Sequence, residues 1–386
     1  MSGPAGEIYL HVGMPKTGTT YLQSVFSDSH EELERQGLAL EPLRRRETFW
    51  LSLAVREDLD ERHPPAAFGI VDRFAAQVAA TTAPRVLVSE EQLGAATRPQ
   101  LDRLVDACGD REVHLVLTVR SLARLLPSTW QQRVQQGSEA PDLDDFLDAI
   151  ASRSGPLAER WWFERGVEAV VDRWSTRIPV ERIHVVTVPR GPSDVLLGRW
   201  CAVLGVDPAR LSTGTARPNT SLGRVQAEVL RRVGEQVPPE LMNRHDYVPI
   251  GKMWLGQRHL GAQSGAAPRM PERLRPWCEE EAERTIALLR ERGVRVSGDL
   301  EDLRPDDGAF DAGTPPDPEE LVDAAVRALA SIALERLDER QARAHQPTVP
   351  HVPVHRRLRH RLGRRLGRRL GGRLGGRLGG RLRRRR

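Results

Sequence analysis

Residues 8–25 read Ile-Tyr-Leu-His-Val-Gly-Met-Pro-Lys-Thr-Gly-Thr-Thr-Tyr-Leu-Gln-Ser-Val. An apolar run, Ile8 to Val12, gives way to a turn rich in Gly, Pro and Lys, and then to an apolar-periodic segment carrying Leu22, Val25 and Phe26. This is the pattern of strand, loop and helix. Such a loop delivers free backbone N–H groups at a helix N-terminus, where the helix dipole favours an anion. Of the 58 basic residues in the chain only two are Lys, Lys16 and Lys252. In a sequence that otherwise writes its positive charge as Arg, a compact ammonium sits inside the anion loop, and it suits a site where a small charge follows a transferring group. Gly13 and Gly18 have the spacing of a Walker A loop, but there the Lys follows the second Gly directly. Here Lys16 precedes that Gly by two residues and Thr19 follows it. A plain strand-to-helix turn without a ligand would not need Lys-Thr-Gly-Thr-Thr.

A second strand-loop-helix unit lies at 113–130, Val-His-Leu-Val-Leu-Thr-Val-Arg-Ser-Leu-Ala-Arg-Leu-Leu-Pro-Ser-Thr-Trp. Arg120 ends the apolar run, and Ser128 stands eight residues on, about two helical turns away. Arg120 can present a planar fork to a phosphate, with Ser128 on its far side. Taken alone the pair also reads as a solvated strand-end Arg and a chance helix Ser.

Together, Pro-Lys-Thr-Gly-Thr-Thr and the Arg-x7-Ser pair resemble sulfotransferases that use 3′-phosphoadenosine 5′-phosphosulfate (PAPS), bacterial members above all. The resemblance implies that Lys16, Thr17, Gly18, Thr19 and Thr20 hold the 5′-phosphosulfate, and that Arg120 and Ser128 hold the 3′-phosphate. Ser121-Leu122 departs from the Asn-Pro of many cytosolic members. No metal is implied, because Lys and loop amides take the place of the Mg²⁺ of phosphoryl transfer.

Residues 84–91, Pro-Arg-Val-Leu-Val-Ser-Glu-Glu, supply the candidate base. Val86 to Val88 is a short buried-strand pattern, and Ser89-Glu90-Glu91 falls at its C-terminal edge, where open parallel sheets place their ligands. Laid over the Lys-Thr-His strand end of cytosolic sulfotransferases, Glu90 falls on the position of the general base. Burial or a neighbouring charge would bring a carboxylate toward working pH. Glu91 is the alternative base, and capping of the next helix is the alternative use of both carboxylates. His11 reads as a packed or orienting residue.

The coarse reading is an α/β fold, P-loop-like, with three layers and a central parallel sheet flanked by helices. Strands are expected near 8–12, 86–89, 113–119 and 183–188. Helices are expected over 19–36, 68–80, 97–107, 121–136, 142–151, 161–176, 193–204, 221–234, 271–291 and 319–344. The domain organisation expected is 1–310 for the sulfotransferase-like domain, 311–345 for a linker and a helix packing back on it, and 346–386 for a basic tail. Residues 305–320 read as linker. Residues 356–386 hold 15 Arg and no acid; without them 43 basic residues face 53 acidic ones, a net charge of −10. The body is therefore acidic, and an anionic donor must be drawn by local charge. Three scattered Cys and the lack of a signal peptide or of an 18-residue apolar run lead to an expected cytoplasmic location.

The segment 217–224 (Arg-Pro-Asn-Thr-Ser-Leu-Gly-Arg) resembles a loop found after the last core strand in bacterial members. Arg217, Asn219, Ser221 and Arg224 could close over the 3′-phosphate, or Ser221 could cap a helix. A small-molecule or glycan acceptor is expected. Trp130, Gln131, Gln132, Gln135, Trp161-Trp162 and the stretch from His245 to Trp254 are candidate pocket residues, with core packing as the plainer reading of the Trp residues. In the tail Leu recurs every four residues among Arg and Gly, a period that drifts about 40° per repeat on a helix. Such a tail would contact anionic lipid, nucleic acid or the acidic body. Two rival readings remain: a P-loop kinase or NTPase with a degenerate second motif at Val86–Glu90, and a non-catalytic adaptor driven by the Arg tail.

Overall fold

In the computed structural model, which describes residues 6–345 apart from 43, 138–139, 215–220 and 243, the apolar runs build one sheet. Its strands are β1 Glu7–His11, β2 Leu38–Leu40, β3 Arg85–Ser89, β4 Glu112–Val119, β5 Ile183–Thr187 and β7 Arg295–Ser297, with β6 Met270–Pro271 and β8 Phe310–Asp311 forming a separate small ladder. The order in the main sheet is β2-β3-β1-β4-β5-β7, and every pair is parallel. Alternation along the strands sorts side chains onto two faces. Ile8, Leu10, Val86, Val88, Leu115 and Leu117 join Phe74, Trp130 and Trp174 in one core. Tyr9, Leu87, Val116 and Val186 join Leu22, Phe26 and Trp200 in the other. Both faces are covered by helices, which is why the strands carry near-continuous apolar runs. This is the expected three-layer α/β fold with a central parallel sheet.

The chain leaves β1 toward β2 and β3 on one side, then crosses to β4 on the other. The C-terminal edge of β1 is therefore a topological switch point, where the outgoing connections diverge and leave a crevice.

Several expectations need correction. The helix expected over 19–36 is two helices, Thr19–Asp28 and His30–Arg35; that over 161–176 is Gly155–Arg165 followed by Val167–Trp174, broken at Gly166. A helix at Arg45–Arg56 and a π-helix at Val248–Leu260 were not anticipated. The segment 305–320 is not a free linker: Asp306 accepts both Nε (2.8 Å) and Nη2 (2.6 Å) of Arg124, and Phe310 pairs in β8. Leu321, Ala324 and Ala328, in the first half of the helix Pro318–His345, are buried in the main core. The described residues divide into two units between Leu329 and Ala330. Among the described residues no helix is long and apolar enough to cross a membrane. The tail 346–386 lies outside the described residues.

Three histidines are buried in the strands. His114 Nδ1 lies 3.0 Å from His184 Nε2, and the Tyr9 ring stacks on His114 at 4.8 Å. Burial, then the charges of His114 and Arg295, brings His184 down to about 4, against an opposing pull from Glu7; burial alone brings His11 down to about 3. His114 is also lowered, first by burial, with Glu7 and Glu112 opposing. Folded pKa values below the unfolded value near 6.5 mean that the unfolded chain takes up protons first. The stability these groups carry is full above about pH 6.5 and is progressively lost as pH falls below it. Glu91, pushed up to about 7, works in the opposite sense between its unfolded value and 7. The urea midpoint followed by circular dichroism should therefore fall from pH 7 to 4.5. A His114→Gln/His184→Gln double variant should show a shallower fall, and equal slopes in the two proteins would refute this account.

Candidate active site

The loop after β1 is built by close backbone approach. Val12 N–H bonds Val116 O (3.0 Å) and Met14 N–H bonds Thr118 O (3.2 Å), carrying the β1–β4 ladder past the end of the strand. A Cβ on Gly13 would collide with His11 Nε2, so only Gly fits here. The Thr17 hydroxyl then donates to Met14 O (2.6 Å) and closes the turn. Lys16 sits in the left-handed region with φ +70°, and Gly18 follows with φ +86°. For a side-chain-bearing residue that conformation costs about 1–2 kcal/mol. It is held from outside: Arg120 Nη1 donates to the Lys16 carbonyl at 2.8 Å. The helix begins at Thr19 with Gly18 as its cap residue, and no described side chain caps it. Its first N–H groups are thus left for another acceptor.

At the end of β3, Glu90 N–H bonds His11 O (3.1 Å), and Glu90 is buried. Its carboxylate accepts the Gln92 N–H (3.3 Å) and caps the short turn Glu91–Ala95. The expected base thus has the capping task. The neighbouring Glu91 carries the contacts to the loop: its Oε1 accepts the Thr19 hydroxyl. Burial, then the charge of Glu90, pushes the Glu91 carboxyl up to about 7, with Arg45 and Lys16 pulling the other way. His11 lies beneath, its Nδ1 2.9 Å from Ser89 Oγ and its Nε2 3.2 Å from Thr118 Oγ1. It ties β1 to both neighbouring strands and orients rather than reacts. Gln23 Nε2 donates to Ser89 O (3.1 Å) and joins the loop helix to the same network.

Arg120 stands at the end of β4. Burial, then the charge of Arg124, holds its pKa below the usual guanidinium range, with Asp306 opposing. Ser128 lies on the following helix, Leu122–Gln135, and donates to Arg124 O (3.1 Å). One turn further, Gln131 donates to Leu222 O (2.6 Å) and accepts from Ser221 Oγ (2.9 Å). Of the two readings left open for Ser221, the helix cap does not hold; that helix starts at Arg224, with Gly223 as its cap residue. Arg217 and Asn219 lie outside the described residues.

Lys16, Thr19, Glu90, Glu91, Arg120, Ser128 and Ser221 line one open cleft of about 1710 Å³. One small ligand usually occupies roughly 300–1,000 Å³, so there is room for two substrates. Gln131, Gln132 and Gln135 also face the cleft. Trp130 and Trp161 are core residues, and the Trp130 indole donates to Pro141 O (2.9 Å). Lys252, from the π-helix, falls within the expected stretch 245–254; the residues missed in the sequence are Arg45, Phe49 and Arg56 from one helix, Arg160 and Arg165 from another, and Gln257 from the π-helix. The only two lysines of the chain thus meet at one site. Burial, then the charge of Lys252, lowers the pKa of Lys16, with Glu91 opposing. The scarcity of Lys was the available signal for Lys252.

No protein-family model and no curated protein sequence matches the chain. Among solved structures it is similar to the sulfotransferase domain from the curacin biosynthetic pathway. The match has 14% identity and a TM-score of 0.35, over 74% of this chain and 99% of that one.

A side chain at position 18 tests the loop. A Cβ there would lie 2.8 Å from Leu196 Cδ2, in a backbone conformation that L side chains rarely adopt. Gly18→Ala should cost about 1–3 kcal/mol, read as a lower urea midpoint; a midpoint equal to that of the parent would show that the loop is not held as described.

Proposed function

We propose that the chain transfers a sulfuryl group from PAPS to a hydroxyl or amine of a small-molecule or glycan acceptor. The observation that carries this reading is the meeting of two anion cradles at one cleft: the Lys16 loop and Arg120, joined through the Lys16 carbonyl, with Ser128 on the same wall. A donor with phosphates at both ends of one adenosine fits such a pair. A guanidinium has five N–H donors, and the bond to Lys16 uses one of them.

In this reading the backbone N–H groups of Thr17 to Thr20 and the Lys16 ammonium take the 5′-phosphosulfate. Arg120 and Ser128 take the 3′-phosphate and so select PAPS over ATP. The acceptor oxygen bonds to sulfur while the bond from sulfur to the phosphate oxygen breaks, and that oxygen keeps the electron pair. Lys16 neutralises the charge growing on it. Glu91 removes the acceptor proton. Glu91 replaces Glu90 in this role because it faces Thr19 in the loop and its pKa lies near working pH. The kinase reading is less favoured, since the place of the Walker lysine is taken by Thr19, whose hydroxyl is engaged by Glu91.

Calorimetric titration should show 3′-phosphoadenosine 5′-phosphate (PAP) binding far more tightly than ADP, with no gain from Mg²⁺; the reverse order would support the kinase. Lys16→Ala should lower turnover by about 10²–10³. Because Glu91 acts when deprotonated, kcat should rise with pH and level off above an inflection near 7. Glu91→Gln should lower kcat by about 10²–10⁴ and abolish that limb. Glu90→Gln should retain the limb, and loss of it in Glu90→Gln alone would return the role to Glu90.

A further inference from the structure

Nine cationic side chains but only four carboxylates line the cleft. This surplus is not a general property of the chain, whose body outside 356–386 is acidic. Nor is it spread evenly. Arg56 pairs with Asp58 (2.9 Å), and Glu164 takes both Arg160 and Arg165 at 2.7 Å. Arg120 is bonded to the Lys16 carbonyl.

Arg45 and Arg46 are different. Both are exposed on the cleft wall, and neither makes a hydrogen bond or ion pair to another described residue. They also occupy the first turn of the helix Arg45–Arg56, where Glu47 is the one acid. A cation there opposes the helix dipole. The fold thus keeps two positive charges, neither in an ion pair with a described residue, at a helix end that disfavours them. Arg45 is near enough for its field to act on Glu91, and both line the same cleft. Phe49, one turn further, adds an apolar surface to the same wall.

We infer that the acceptor is itself an anion, whose carboxylate, phosphate or sulfate group rests against Arg45 and Arg46 while its hydroxyl faces Glu91. This rests on the sulfuryl-transfer reading above and names its second substrate class. Phosphate or sulfate would engage the two guanidinium forks with more oxygens than a carboxylate can, but all three share the charge.

The test compares glucose, glucuronate and glucose 6-phosphate, which share their ring hydroxyls and differ at one carbon. Turnover is read as PAP release from PAPS, and binding as titration of each sugar into the PAP-loaded protein. At least one anionic sugar should exceed glucose tenfold or more in kcat/KM or in affinity, and added salt should shrink the difference. Which of the two is preferred separates carboxylate from phosphate recognition. Arg45→Ser/Arg46→Ser should bring the ratio to within twofold while PAP affinity is retained, and Arg45→Lys/Arg46→Lys should keep most of the preference. No preference in the parent, binding of none of the three sugars, or a preference that survives the Ser variant would overturn the inference. Failure of the parent to bind PAP would instead overturn the sulfuryl-transfer reading.

Discussion

The hydrogen bond from the Arg120 guanidinium to the Lys16 carbonyl is the constraint on which the site depends. β1 and β4 run side by side with His11 opposite Val116, so β4 continues three residues past the end of β1 before Arg120. The guanidinium reaches from that longer strand to the loop that leaves the shorter one. A bond to a charged donor contributes about 1.5–3 kcal/mol, enough to offset the roughly 1–2 kcal/mol of a left-handed Lys16. Strain in the loop and charge at the strand end are therefore one device. The same contact that fixes the loop brings a second cation beside it.

Support from below comes from a neutral His11. A protonated imidazole would be an uncompensated charge beneath a loop that already carries Lys16. Burial holds His11 far below its ordinary pKa, so the ring can mix donor and acceptor roles toward Ser89 and Thr118. Its edge-on contact with Trp200, at 4.4 Å between centroids, joins this network to the core on the loop-helix side of the sheet.

What could be read in the sequence follows from burial. β1, β3, β4 and β5 lie inside the sheet, and their continuous apolar runs mark them. β2 and β7 are three-residue edge strands: the apolar Leu38–Leu40 is too short to stand out, and Arg295 and Val296 of β7 are exposed. The helix Arg45–Arg56 buries Thr48, Leu51, Ser52, Leu53 and Val55, a set mixed in polarity and headed by arginines. The π-helix places residues five apart near one another through its i→i+5 bonds. Lys252 and Gln257 therefore share the cleft, although they would diverge by about 140° on an α-helix. Choosing between Glu90 and Glu91 needed the residue at which β3 stops. Glu90 is still extended (φ −152°) and turns its carboxylate to the cap, and Glu91 is the first residue aimed at the loop. Local pattern does not encode that one-residue distinction.

The segment 300–311 shows how a stretch without apolar periodicity enters the site. Arg120 precedes the helix that carries Arg124 in its first turn, and the charge of Arg124 disfavours that of Arg120. Asp306 takes Arg124 in a two-point grip, which offsets its charge. Asp302 does the same for Arg199 on the helix that follows β5. The acids of this segment thereby hold arginines from two helices. Arg120 instead gives a donor to the Lys16 carbonyl, so the pairing of its neighbours with acids leaves the strand-end guanidinium to hold the loop.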